Sequence, residues 1–541
     1  MIGDSRPEYI LVRSGIFLLR SITPVCFAGF IGGCAVFFQH LLRSEASIPA
    51  TLGAIIRRHP GYFGLWCYAA LESAFFIFVY LPRKKQIQKP AVLPAESSPQ
   101  ERRLLFEQCL ATITDTESFL RGWFHGAPID SLKRDNIVEW ATYAVSASDV
   151  ATSEEMDYYV NLVEAKLGRS FEEGRNEDIK CMRPIIDKVK VVHRPLIYYL
   201  VVSGLDFATH LALHYIGFRH YDTPLWFSSF PFRPYTVFSR KSVVPRFSYW
   251  HREHVSKQKS PLFFIHGIGI GLLPYIAFLW DLVRADRDVG IIVLEISAIN
   301  SRLVYPLRQM TPPKTFARDV YSILENHHQE HMSHVIIGVS FGTFLVSQLL
   351  AASRRSVSDA ESGGLYQHPR ICATVLIDPI PFLIFEPDLV HSFLYRVPGS
   401  WRANEWMLWY FSSRDIAVAG VLGREFFWHE GVAWRENIVG VMQEEPIGGS
   451  PRLLSTLVVL SGKDQIVPAG KVWRYLTNGA SDIQCSTGLR EDDDKAARIW
   501  ENDDHSLKVV CYPSLDHAQI LASRKKMRLV VARIVQFSAR E

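Results

Sequence analysis

An apolar run, His334-Val335-Ile336-Ile337, passes straight into Gly338-Val339-Ser340-Phe341-Gly342-Thr343, and this G-x-S-x-G restricts the available folds more than any other stretch of the chain. A serine flanked in this way sits on a tight turn between a buried strand and a helix, where the residues two before and two after it have room for almost no side chain. Gly338 and Gly342 meet that need. The following segment, Phe344-Leu345-Val346-Ser347-Gln348-Leu349-Leu350-Ala351-Ala352, is apolar enough for a buried helix. The free amides at the N-terminus of such a helix point at the turn. Ser340 is therefore the candidate nucleophile.

Three further strand ends complete an acyl-transfer pattern. Ser260-Pro261-Leu262-Phe263-Phe264-Ile265 runs into the glycine-rich loop His266-Gly267-Ile268-Gly269-Ile270-Gly271. Gly267 and Gly269 leave that backbone open, so the amides of Ile268 and Phe341 are the candidate pair for a developing oxyanion. Each such donor is worth about 3 kcal/mol in the transition state. The loop lacks the lysine of a phosphate-binding P-loop, and its glycine spacing is not that of a dinucleotide fingerprint. Downstream, Leu453 to Leu460 reads as a buried strand ending near Asp464, and Leu507 to Tyr512 as another ending near His517. A carboxylate at Asp464 can hold the imidazole of His517 in one tautomer, leaving its other nitrogen to take a proton from Ser340. Ile371 to Ile377 is also strand-like and ends at Asp378, the reserve acid.

In the order and setting of these four motifs, the chain from about Phe238 to its C-terminus resembles the α/β-hydrolase superfamily. The resemblance implies an α/β fold: a mostly parallel sheet flanked by helices, with a lid insertion. It also implies Ser340 as nucleophile, His517 as general base and then acid, Asp464 as its partner, and Ile268 and Phe341 as oxyanion amides. The His266 to Gly271 loop and the long N-terminal extension are most similar to membrane-associated α/β-hydrolases found in fungi. That likeness supplies no substrate.

The 541 residues exceed what one hydrophobic core organises, so two or three folded units are expected. Ser21 to Leu42 contains no Lys, Arg, Asp or Glu and, as a helix, is long enough to cross roughly 30 Å of hydrocarbon. Tyr62 to Leu81 is a second such run, closed by Arg83-Lys84-Lys85 and interrupted by Glu72, which needs a partner inside a membrane. Two transmembrane helices are expected within residues 1–90. The basic cluster favours helix ends in the cytosol, and the expected location is an endomembrane, such as the endoplasmic reticulum, with the catalytic domain cytosolic.

A proline-bearing stretch from Lys89 to Pro99 reads as a linker into a helical accessory region, 91–235, and then a catalytic unit, 236–541. Within the catalytic unit, an aromatic-rich insertion at about 380–449 occupies the place of a lid. Tyr235 to Phe238 and Phe247 to Trp250 are the expected opening antiparallel strands. His125 and Asp130 match the H-x-x-x-x-D spacing of glycerolipid acyltransferases, although the intervening Gly126 and Pro128 favour a plain loop. Acidic clusters at Glu491 to Asp494 and Glu501 to Asp504 read as solvated turns.

The net charge of +4 is too small to argue for nucleic acid, and the 8 Cys include no C-x-x-C pair. No metal and no cofactor are expected. The expected function is a membrane-anchored serine hydrolase cleaving a carboxylic ester of an apolar or lipid-like substrate through an acyl-enzyme. Acyl transfer, thioester cleavage and a non-catalytic membrane scaffold are the alternatives on the same scaffold.

Overall fold

The structure, a computed structural model, describes residues 3, 5–44, 47–94, 97–145, 152–223, 229–304, 310–328, 333–360, 370–443, 452–480 and 497–539. The acidic run Glu491 to Asp494 lies outside the described residues.

Short stretches rich in β-branched and aromatic side chains build the principal sheet. Its ten strands are β1 (Arg219–Asp222), β2 (Arg240–Lys241), β3 (Ser248–Arg252), β4 (Leu262–Ile265), β5 (Ile291–Glu295), β6 (Ser333–Val339), β7 (Arg370–Ile377), β8 (Ser455–Ser461), β9 (Arg498–Glu501) and β10 (Leu507–Tyr512). Across the sheet they run β9-β10-β8-β7-β6-β4-β5-β3-β1-β2. The six strands from β10 to β5 in that order are mutually parallel, while β3 joins β5 antiparallel and β9 joins β10 antiparallel. Helices on both faces bury most residues of the parallel strands, so these strands read in sequence as dense apolar runs. Side chains along them still alternate between two cores. Phe263 and Ile265 face one core, and Leu262 and Phe264 the other.

One expected strand is absent. Pro234–Phe238 is a 3₁₀ turn, at whose start the Thr236 hydroxyl donates to the Arg233 carbonyl at 2.8 Å. Pro234 at its first position has no amide to give a sheet ladder and suits the start of a helical turn. The second expected strand, around Phe247 to Trp250, is β3.

Among the described residues, three helices are long and apolar enough to cross a membrane: Arg6–Arg43, Pro60–Gln86 and Leu196–Ile216. They contain α1 (Arg6–Ser44), α2 (Pro60–Phe75, continued by a π-helical turn at Phe76–Tyr80) and α3 (Leu196–Ile216). The sequence pointed to the first two. The third carries Asp206, His210 and His214 along its length, which masks its apolar average. Asp206 accepts a hydrogen bond from Arg233 at 2.9 Å and also pairs with Arg302, tying α3 to the body that carries the principal sheet. Glu72 in α2 finds the partners its position requires. It accepts from the Thr23 hydroxyl of α1 at 2.6 Å and from the Leu196 amide at the start of α3 at 2.6 Å, so one carboxylate joins all three helices.

Between α2 and α3, the helices Pro99–Thr112, Thr116–Trp123, Arg134–Val145 and Ser153–Leu167 form a bundle. The first starts on a capping box, with the Ser98 hydroxyl accepting the Glu101 amide and the Glu101 carboxylate accepting the Ser98 amide. Phe106, Leu110, Trp123, Trp140 and Tyr159 from this bundle share a continuous core with the upper face of the sheet and with the helical insertion between β7 and β8.

Candidate active site

The strand β6 ends at Val339 and a helix, Phe341–Ala360, begins two residues later, leaving Ser340 alone at the turn with φ 51°. This left-handed conformation costs a non-glycine residue energy and is held by its surroundings. The Ser340 amide donates to the Ile377 carbonyl of β7 at 2.9 Å, and the Thr343 hydroxyl donates back to the Ser340 carbonyl at 2.5 Å. The flanking glycines are required by close approach. A Cβ on Gly342 would stand 2.3 Å from the Ile265 carbonyl oxygen, and one on Gly338 would stand 3.0 Å from the Thr343 backbone.

Two loops bring partners to this serine. After β8, Asp464 is fixed through one carboxylate oxygen, which accepts the amides of Ile466 at 2.7 Å and Val467 at 2.9 Å. Its other oxygen lies 2.7 Å from His517 Nδ1, and His517 Nε2 lies 2.7 Å from Ser340 Oγ. Three residues separated by 177 positions in sequence thus form one hydrogen-bonded chain. Burial pushes the His517 imidazole down, but the Asp464 carboxylate outweighs it and, with help from Asp378 and Asp516, holds the group up at about 9.

Asp378 lies beneath this chain and does not touch Ser340. Its oxygens accept the Ser461 amide at 2.8 Å, the Ser461 hydroxyl at 3.0 Å and the Ala518 amide at 2.7 Å. Complete burial, together with the negative charge of Asp464, raises Asp378 to about 7. Asp378, Asp464 and His517 each offer a ligand atom, all within 4.8 Å of one another. Those atoms already meet one another or N–H and O–H donors, an arrangement suited to sharing protons.

The glycine-rich loop after β4 is held by His266, which is fully buried. Its Nδ1 lies 2.7 Å from the Gly267 carbonyl and its Nε2 accepts the Ile296 amide at 2.9 Å, and burial lowers its pKa and keeps it neutral. The Gly267 amide donates to the Tyr275 hydroxyl at 3.0 Å and is therefore spent. The Ile268 amide makes no hydrogen bond among the described residues. The Phe341 amide opens its helix, where an N–H has no intrahelical acceptor. A Cβ on Gly267 would come within 2.9 Å of the Ser340 side chain, whereas one on Gly269 would meet nothing within 4 Å.

Ser340, Phe341, Ile268 and His517 line one cavity of about 1450 Å³, counting its open mouth. Its remaining walls are almost wholly apolar. The bundle supplies Phe106, Leu110, Trp123 and Trp140, and the insertion supplies Phe385, Phe393, Leu408 and Phe426. The bundle, which the sequence marked only as a helical accessory region, is thus a wall of the cavity. The other motif found there has a structural role: Asp130 pairs with Arg169 at 2.6 Å, and His125 packs its ring 5.5 Å from that of Tyr395.

Sequence reading also passed over Asp516. It is buried and accepts the His517 amide at 2.8 Å, the Gln465 amide at 3.0 Å and an Arg402 N–H at 2.8 Å. Its adjacency to His517 was the only available signal.

No protein-family model matches the sequence, and no curated protein matches it. Solved structures do align with it. They include a carboxylesterase of Nitrososphaera gargenis (12% identity, 54% of this chain and 95% of that one, TM-score 0.31). An esterase of Pyrobaculum calidifontis aligns at 11% identity over 66% of this chain and 92% of that one, with TM-score 0.35. A membrane phospholipase A described as a bacterial virulence factor aligns at 10% identity over 63% of this chain and 94% of that one, also with TM-score 0.35. Overlaps this loose and distant carry no chemistry across. The six parallel strands in their order, the antiparallel strands beside β5 and the serine on a strained turn between β6 and its helix give this chain an α/β-hydrolase fold.

Proposed function

We propose that the protein is a membrane-anchored serine hydrolase that cleaves a carboxylic ester of an apolar or lipid-like substrate. The observation that carries this reading is the hydrogen-bonded chain Asp464–His517–Ser340, with two 2.7 Å links, opening into an apolar cavity. A structural serine needs neither a left-handed turn nor an imidazole paired to a carboxylate.

In this mechanism neutral His517 takes the Ser340 proton through Nε2 while the oxygen attacks the ester carbonyl. Asp464 keeps the Nδ1 proton in place and stabilises the imidazolium. The Ile268 and Phe341 amides receive the oxyanion. His517 then gives its proton to the leaving alcohol, and Ser340 retains the acyl group as an ester. Water, deprotonated by the same imidazole, releases the acid and restores Ser340. The cavity wall supplied by the bundle and the insertion receives the hydrocarbon part. Each methylene moved there from water gains about 0.8 kcal/mol.

We further read residues 1–90 as the anchor, 91–235 as a helical region serving the site, and 236–541 as the catalytic unit with its lid at about 380–449. Arg83, Lys84 and Lys85 after the second span favour a catalytic body on the cytosolic side of an endomembrane. The test is hydrolysis of an ester series of rising acyl length by detergent-purified protein and by Ser340→Ala. Turnover falling by 10³-fold or more, on the order seen when a nucleophile is removed, supports the reading, and equal turnover refutes it. The apolar lining of the cavity also suits acyl transfer. Added alcohol distinguishes the two, because transfer yields a new ester in place of free acid.

A further inference from the structure

The first turns of α1 and the tip of the insertion meet. Tyr9, Arg13 and Ile16 share one face of α1 by their spacing of four and three. The Tyr9 ring lies 5.0 Å from that of Trp401, the Arg13 guanidinium stands 3.6 Å over the Trp406 ring, and Ile16 is buried. Ile10, Leu11, Phe17 and Leu18, from the same turns, are exposed. At 39 residues, α1 is roughly 58 Å long at 1.5 Å per residue. That is about twice the hydrocarbon thickness, and the uncharged stretch from Ser21 onward is enough to cross it. Arg6, Arg13 and Arg20 place the preceding turns at the level of the headgroups, where cationic side chains sit at the end of a span.

The partners of those turns are Trp401, in the loop Arg396–Arg402, and Trp406, in the helix Ala403–Leu408 that follows it; the loop connects this helix to the helical segment His391–Tyr395. Phe393, Leu394 and Leu408 of these segments line the Ser340 cavity. The loop itself exposes Val397 by 64% and Trp401 by 74%. Two large apolar side chains turned outward on a loop that meets α1 through Trp401 and Tyr9 are of the kind that meets a lipid interface. The loop is also tied to the site, because Arg402 donates to Asp516, which in turn accepts the His517 amide.

We propose that the 396–402 loop lies in the interfacial layer of the bilayer crossed by α1, and that the Ser340 cavity draws a bilayer-resident, acyl-bearing ester sideways through this edge. For its chemistry the proposal rests on the hydrolase reading; for its placement it does not. A sideways path spares the acyl chain from passing through water, where every methylene adds to the cost.

The placement is tested with full-length protein in phosphatidylcholine nanodiscs, carrying a bimane at residue 397 through Val397→Cys, with unmutated protein labelled alongside as background. Quenching by lipid brominated on the acyl chain, with protection from aqueous iodide, is expected. Iodide quenching without bromine quenching overturns the placement. So does blue-shifted emission that neither agent quenches, which would mean that protein, such as a second copy of the chain, covers the loop. The route is tested with the double variant Val397→Asp, Trp401→Asp. Its kcat/KM on a long-chain ester embedded in vesicles should fall at least tenfold, with that on a water-soluble acetate unchanged. Equal losses on both substrates, or none on either, overturn the route. Failure of the hydrolase reading shows separately, as no turnover of either ester by unmutated protein, and the quenching result then still decides the placement.

Discussion

Replacing Asp464 by asparagine should move the acid limb of the activity profile to lower pH and lower its plateau. Burial by itself depresses the imidazole of His517, yet the carboxylate 2.7 Å from Nδ1 raises it from 6.5 to about 9. That rise amounts to roughly 3 kcal/mol of preference for the imidazolium. The base must be neutral to accept the Ser340 proton. At pH 7 about one site in a hundred is then ready, and kcat/KM should climb close to tenfold per pH unit before levelling above about 9. The linkage to stability has the opposite sense: the raised group contributes fully below its unfolded value of 6.5, and the contribution is lost as pH rises through about 9. In Asp464→Asn the largest attraction disappears while burial and the weaker pulls of Asp378 and Asp516 remain, so the midpoint should fall well below about 9. The plateau should drop on the order of 10³- to 10⁴-fold, because an asparagine N–H facing Nδ1 fixes the wrong tautomer. The assay is kcat/KM on a soluble short-chain ester between pH 5 and 10 for both proteins. A wild-type midpoint at or below 6.5, or one that the substitution leaves in place, would refute this electrostatic reasoning.

Four other outcomes are expected. Gly342→Ala drives a Cβ to 2.3 Å from the Ile265 carbonyl, a backbone atom that cannot swing away, so activity should fall at least a hundredfold with a loss of about 1–3 kcal/mol in thermal unfolding. Gly269→Ala, which meets nothing within 4 Å, should keep both. Leu110→Trp fills part of the cavity from the bundle side and should cut kcat/KM for long-chain esters about tenfold relative to an acetate, whereas a proportional loss on both would remove the bundle from the binding wall. Burial, followed by the neighbouring His327, lowers His251 to about 3, and burial lowers His327 to about 4, their rings lying 4.0 Å apart. Since the unfolded chain binds these protons first, stability should decline as pH falls below about 6.5. His251→Gln should flatten that decline in melting curves taken from pH 7 to 5.

The parallel strands were legible because burial on both faces leaves each as a dense apolar run with a turn at its end, as in Leu262–Ile265 and Ser455–Ser461. The same turns hold Ser340, Asp464 and His517, so the order of these residues could be read along with the strands. Edge elements gave no such pattern. Arg240–Lys241 and Arg498–Glu501, the two outermost strands, are short and carry charged residues, because an edge strand with one open side need not be apolar. The membrane-length helix Leu196–Ile216 was obscured by the polar residues that fasten it to the body, Asp206 above all. The role of the bundle was invisible for a different reason. A side chain that lines a cavity has the same composition as one that fills a core, so Leu110 and Trp140 carry no local mark of their neighbour Ser340.

The central claim is that Ser340 is an activated nucleophile, and its most direct test is covalent. Detergent-extracted protein treated with a fluorophosphonate should gain one adduct, located by mass spectrometry on the peptide containing Ser340. The adduct should be absent in Ser340→Ala and strongly reduced in His517→Ala. An adduct on another residue, or no reaction from folded protein whose cavity admits a short-chain probe, would contradict the account.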